Sequence, residues 1–232
     1  MWRSRILHRG SLITISGMDG SGKSSHSQAL EKSLAHQGLT VMRAWVGHKP
    51  ILSFPFLALV RMLGCTHRRT IDGVPFYWRD WRRNPALARL WPLVLSLDFL
   101  PKAFWSVKIP VLRGKIVICD RYLYDMMAEL AQYGLLGANA KRFLVGIVER
   151  PTVAFLLDVD TRLAWKRTLV PGRAREQPIY DLRKRREAFL RLASEFGMIV
   201  LDGGGDPERN RSEILNRTLD SLGLANSQRA DG

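Results

Sequence analysis

Residues 17–24 read Gly-Met-Asp-Gly-Ser-Gly-Lys-Ser, a complete G-x-x-x-x-G-K-[ST] phosphate-binding loop. Gly17, Gly20 and Gly22 let the backbone curl until successive N–H groups point inward at phosphate oxygens. Met18, Asp19 and Ser21 belong to the same cradle, and Ser25 continues it. The helix that must begin near Lys23 adds its positive N-terminal end. Lys23 would reach the β and γ phosphates as a point charge, and the Ser24 hydroxyl is placed to ligate Mg²⁺.

Such a loop works with a carboxylate at the end of a neighbouring strand. Ile116-Val117-Ile118-Cys119-Asp120 supplies one, an apolar run ending in aspartate. Asp120 and Ser24 are therefore the expected metal ligands. Arg121 follows one residue beyond the strand end, where an acceptor phosphate is expected; the competing role is simple pairing with Asp120 or Asp125. A third basic stretch runs from Arg162 to Arg191, and Pro171, Gly172 and Pro178 break its helical pattern. That places a mobile basic lid at about 169–182, with Arg173 and Arg175 best placed to stabilise charge in phosphoryl transfer. Arg183-Lys184-Arg185-Arg186 reads instead as a solvated helix face, the commoner fate of charge runs.

The elements that must position these residues alternate along the chain. Strand-length runs lie at 12–16, 39–45, 115–119, 152–157 and 198–201. Helical patterns cover 24–37, 86–108, 123–133, 139–149, 160–168, 182–196 and 207–222. Alternation of this kind predicts a parallel sheet flanked by helices. One domain over 1–225 is expected, with a polar tail at 226–232 that frays. Residues 68–91 break the alternation with arginines interleaved among Phe76, Tyr77, Trp78, Trp81 and Trp91. They read either as a wall over a substrate pocket or as aromatics that close the core beneath solvated arginines.

Composition narrows the classes. The 232 residues carry 36 Lys and Arg against 21 Asp and Glu, a formal charge of +15. Such a surface attracts anions, and charge alone does not choose among nucleotides, nucleic acid and acidic lipid. A non-catalytic nucleotide- or nucleic-acid-binding module is thus a minor alternative, although no nucleic-acid fold motif occurs. Peripheral membrane contact is left undecided. Cys65 and Cys119 form no disulfide framework or metal-ligand spacing, in keeping with a reducing cytoplasm. The greasy stretch Ile51–Val60 is too short to span a bilayer. The five histidines lack metal spacing, and His26 reads as a surface residue.

Together, Gly17–Ser25, Asp120-Arg121-Tyr122, Ala154–Asp160, Arg167 and the basic lid before Arg183–Glu187 resemble the thymidylate kinase family of P-loop nucleoside monophosphate kinases. The resemblance implies a three-layer α/β fold whose five-stranded parallel sheet has the order 2-3-1-4-5. It also implies MgATP as donor, transfer to a nucleotide 5′-phosphate such as that of dTMP, and a homodimer. Asp19 matches the family aspartate near the acceptor sugar and phosphate, and Gly20-Ser21 in the loop marks the kind whose arginine sits in the lid. The acceptor side departs from the pattern. Leu100 and Lys102 fall where the family has the base-contacting Arg and Gln, and Tyr124–Glu129 replaces its usual sequence after Asp-Arg-Tyr. Val46-Gly47-His48-Lys49-Pro50 replaces Glu-Pro-Gly. Arg121, Asp19, Trp78 and Leu100 are the candidate acceptor contacts. These departures leave a second reading, the same fold and donor with a sugar or lipid-linked acceptor.

Overall fold

A computed structural model describes residues 10–47, 51–71, 74–168 and 179–224, with the backbone alone at 68–71, 74–78 and 179–180. Strand β1 (Ser11–Gly17) runs at the centre of a five-stranded sheet whose other members are β2 (Val41–Trp45), β5 (Ile116–Asp120), β6 (Val153–Asp158) and β7 (Ile199–Asp202). All four pairings are parallel, in the order β2-β5-β1-β6-β7. Numbered within this sheet alone, that is the expected 2-3-1-4-5. Parallel strands covered on both faces must be apolar throughout, and every residue of β5 is buried.

Alternate side chains of the central strands feed two cores. Leu12, Val117, Cys119 and Leu156 face one layer; Ile13, Ile15, Ile118 and Phe155 face the other. Helices α1 (Lys23–His36) and α9 (Pro207–Ser221) pack together over the second set. The first set is covered by α3 (Pro85–Ala103), α5 (Leu123–Gln132) and α8 (Ile179–Phe196). The remaining helices are α2 (Ser53–Met62), α4 (Ile109–Leu112), α6 (Ala138–Ile147) and α7 (Thr161–Arg167). Helix α3 passes through a π turn at Phe104–Lys108 into α4. No helix among the described residues is long and apolar enough to cross a membrane.

The break in alternation is a short antiparallel hairpin, β3 (Thr66–Ile71) and β4 (Val74–Arg79), set between α2 and α3. Its root joins the core. Trp81 and Trp91 are buried and stack at 5.4 Å, with Phe56 beyond Trp91 at 5.9 Å and Tyr133 edge-on to Trp81 at 6.4 Å. These aromatics tie α2, α3 and α5 together, so this part of the excursion closes the core. Most of the lid stretch, including Arg173 and Arg175, lies outside the described residues, as do 226–232. Its last residues, 179–182, form the first turn of α8.

Candidate active site

The phosphate loop leaves the C-terminal edge of the sheet between β1 and α1. Gly17, Gly20 and Gly22 adopt φ of 148°, 82° and 92°, backbone that side chains strain to reach. Packing beneath the loop repeats the demand. A Cβ on Gly17 would lie 2.6 Å from the Leu157 carbonyl oxygen, and one on Gly20 would lie 2.7 Å from that of Ala164. Lys23 is buried at the loop floor, donating to the carbonyls of Gly17 and Met18 at 2.8 Å each. Burial pushes its ammonium below the ordinary lysine value, and nearby Arg121 adds to the effect.

Across the sheet, Ser24 Oγ donates to Asp120 Oδ2 at 2.6 Å. The other carboxylate oxygen, Oδ1, is buried with no hydrogen-bond partner among the described residues. A buried carboxylate oxygen without a donor, beside a serine hydroxyl, is a fitting pair of hard ligands for a divalent cation. These residues fit Mg²⁺.

Arg121 pairs with Asp19 of the loop through its guanidinium. Its φ of 64° makes it the one non-glycine residue with positive φ among those described. Asp125, one turn into α5, is buried and accepts from Ser16 Oγ at 2.7 Å and from the Tyr122 amide at 3.2 Å. Burial pushes its carboxyl above the ordinary aspartate value, against the pull of Lys23 and Arg121.

From Arg121 a cavity of about 400 Å³ opens between α2, the hairpin root, α3, α5 and α8. Arg61, Arg79, Lys102, Arg121 and Arg185 line it, with Asp98, Asp125 and Glu129, and Phe99, Tyr122 and Tyr133 give it aromatic walls. The helical period decides what α3 presents. Leu95, Asp98, Phe99 and Lys102 recur on one face. Leu100 lies off that face and lines a separate, mostly apolar cavity with Phe104 and Ile147. Leu100 is therefore not brought to the candidate acceptor contacts, whereas Asp19 and Arg121 are; the Trp78 side chain lies outside what is described. Asp98 is spent on α2, accepting from the amides of Ile51, Leu52 and Ser53 at 3.2, 2.7 and 3.1 Å and from the Ser53 hydroxyl.

On the opposite side of the loop, Arg167 Nη1 donates to the carbonyls of Gly203 at 2.7 Å and Gly20 at 3.3 Å. It clips the β7–α9 turn to the phosphate loop. Arg186 grips Asp158 with two bonds of 2.7 Å, fixing α8 to the end of β6, so this arginine is not merely solvated. His26 is buried on α1 rather than on the surface, because α9 covers that face of the helix.

The fold and the glycine-rich loop at the end of its central strand are those of a P-loop kinase. No family model matches the chain. Curated relatives do. The "Probable thymidylate kinase" of Pyrococcus abyssi is 30% identical over 197 residues, covering 81% of this chain and 85% of that one. "Probable thymidylate kinase 1" of Saccharolobus solfataricus is 26% identical over 90% of this chain and 94% of its own. The "Probable thymidylate kinase" of Thermococcus gammatolerans is 29% identical over 96% and 99%. The chain belongs to the thymidylate kinase family.

Proposed function

We propose that the protein transfers the γ-phosphoryl group of MgATP to the 5′-phosphate of a nucleoside monophosphate, with dTMP the first candidate. The observation that carries this reading is the Asp19–Arg121 pair, which joins the donor loop to the mouth of a cation-lined cavity. The relatives' names point the same way.

In this reading the loop amides and Lys23 hold the donor phosphates. Ser24 and Asp120 would hold Mg²⁺, which would neutralise phosphate charge. Arg121, oriented by Asp19, draws the acceptor phosphate into line with the γ-phosphorus. An acceptor oxygen then forms a bond to phosphorus while the bond to the β-phosphate oxygen breaks, and ADP departs. Little covalent chemistry falls to the protein, which contributes position and charge. Arg173 and Arg175 of the lid complete the charge stabilisation.

The test is ADP formation from MgATP with purified protein and a panel of nucleoside monophosphates. Turnover with dTMP or another mononucleotide is expected. No turnover with any nucleotide, together with turnover of a phosphorylated sugar, would overturn the reading.

A further inference from the structure

The cavity carries cations at two ends, and the acceptor phosphate accounts for one of them. At the loop end stands Arg121. Helix α5 begins two residues later at Leu123, and Tyr133 caps its far end. At 1.5 Å of rise per residue, that helix separates the two ends by about 15 Å. Around Tyr133 the cavity receives Arg79 from the hairpin root and Arg185 from α8, both close enough to act on its hydroxyl. Arg61 lines the same cavity from the last turn of α2.

These cations are not equally matched. Arg185 has Glu129 at 3.8 Å. Asp98, the other carboxylate lining this wall, is occupied with the N-terminus of α2. Asp181, near Tyr133, makes no ion pair with Arg61 or Arg79 among the described residues. Arg79 is held 5.6 Å over the Trp91 ring, a face that fixes a guanidinium without neutralising it. The hairpin thus delivers a positioned cation, and Arg61 adds a second. Arg61 is exposed and Arg79 half-buried, and an anion beside them would take charge-assisted hydrogen bonds, roughly twice as strong as those a neutral base accepts.

Resting on the kinase reading, we propose that the acceptor this cavity prefers, ahead of dTMP, is a nucleotide with a second anionic group, a carboxylate or a phosphate, remote from the phosphate that receives the γ-phosphoryl. Arg79, with Arg61, receives that group. Both arginines act as determinants of acceptor choice; the hairpin installs Arg79 and the last turn of α2 installs Arg61.

Calorimetric titration of the full chain with three probes tests this: dTMP, thymidine 3′,5′-bisphosphate and 5-carboxy-dUMP. One of the two doubly anionic probes should bind about tenfold or more tightly than dTMP. The sugar-borne and base-borne arms separate the two positions for the charge. Arg79→Ala, or Arg61→Ala if the first variant folds poorly, should cut that preference to within about twofold, and Arg79→Lys should retain part of it. The proposal is overturned if neither probe exceeds dTMP, if none of the three binds, or if the preference survives both substitutions. Because binding is read without turnover, loss of the kinase reading shows separately, as absent transfer to any nucleotide. Turnover of dTMP with no preference would remove this proposal alone.

Discussion

Arg121 holds a left-handed backbone that costs a non-glycine residue roughly 1–2 kcal/mol. The Val46 amide and the Cys119 thiol both donate to its carbonyl, and that turn aims the guanidinium at Asp19. Strain kept at the junction of loop and cavity fits a functional position. Asp125, nearby, is a residue whose charge the fold resists. In the unfolded chain it ionises near 3.8, while the folded protein keeps its proton to higher pH. Between those two values the unfolded state binds fewer protons, so this group's contribution to stability declines as pH rises. Asp125→Asn should therefore gain melting temperature relative to wild type at pH 8 compared with pH 4. A difference between the two proteins that stays constant with pH would contradict this. The glycine-rich loop was legible in the sequence because its spacing is local, from Gly17 to Ser24. Asp125 was not, because its partner Ser16 lies 109 residues away.

Helix α2 shows why one element was missed. Its apolar run with Pro55 read as a greasy stretch, and it has no capping side chain of its own. The cap comes instead from Asp98, 45 residues on, which accepts the Ile51, Leu52 and Ser53 amides and complements the helix's positive end. Along the sequence Asp98 is a single acid in an otherwise apolar stretch, with nothing near it to mark a cap for α2. Burial pushes its carboxyl up, but the bonds from Ser53, Leu52 and Ile51 outweigh that and hold it below the ordinary value. Asp98→Ala should cost about 2–3 kcal/mol by leaving those donors unmatched. Hydrogen exchange should quicken over 51–62 with little change in β1 or β5. Uniform quickening, or none, would show that Asp98 does not hold α2. The hairpin escaped for a different reason: β3 is polar, with His67, Arg68 and Arg69 in succession, and Pro75 interrupts β4, so neither shows the alternation by which strands are read. The main sheet elements were legible because parallel strands buried on both faces must be apolar runs.

The whole molecule combines a charge of +15 with an apolar ridge. Leu90, Leu93, Leu97, Phe104 and Trp105 are exposed along α3 and its π turn, at spacings that put most of them on one side. An uncovered ridge of this length is unfavourable in water. The homodimer that the family resemblance implies predicts that Leu97→Glu with Trp105→Ser shifts the protein toward monomer in sedimentation velocity; an unchanged distribution would contradict it. The fold brings the glycine-rich loop, the Ser24–Asp120 pair and the cation-lined cavity to one edge of one sheet, the arrangement that the proposed phosphoryl transfer would use. Transfer of label from [γ-³²P]ATP to a nucleoside monophosphate, compared between wild type and Lys23→Ala, tests that claim most directly. The account predicts labelled nucleoside diphosphate from wild type, dependent on Mg²⁺, and a fall of roughly 100-fold or more in the variant. Equal transfer by both proteins, or label released only as inorganic phosphate, would contradict it.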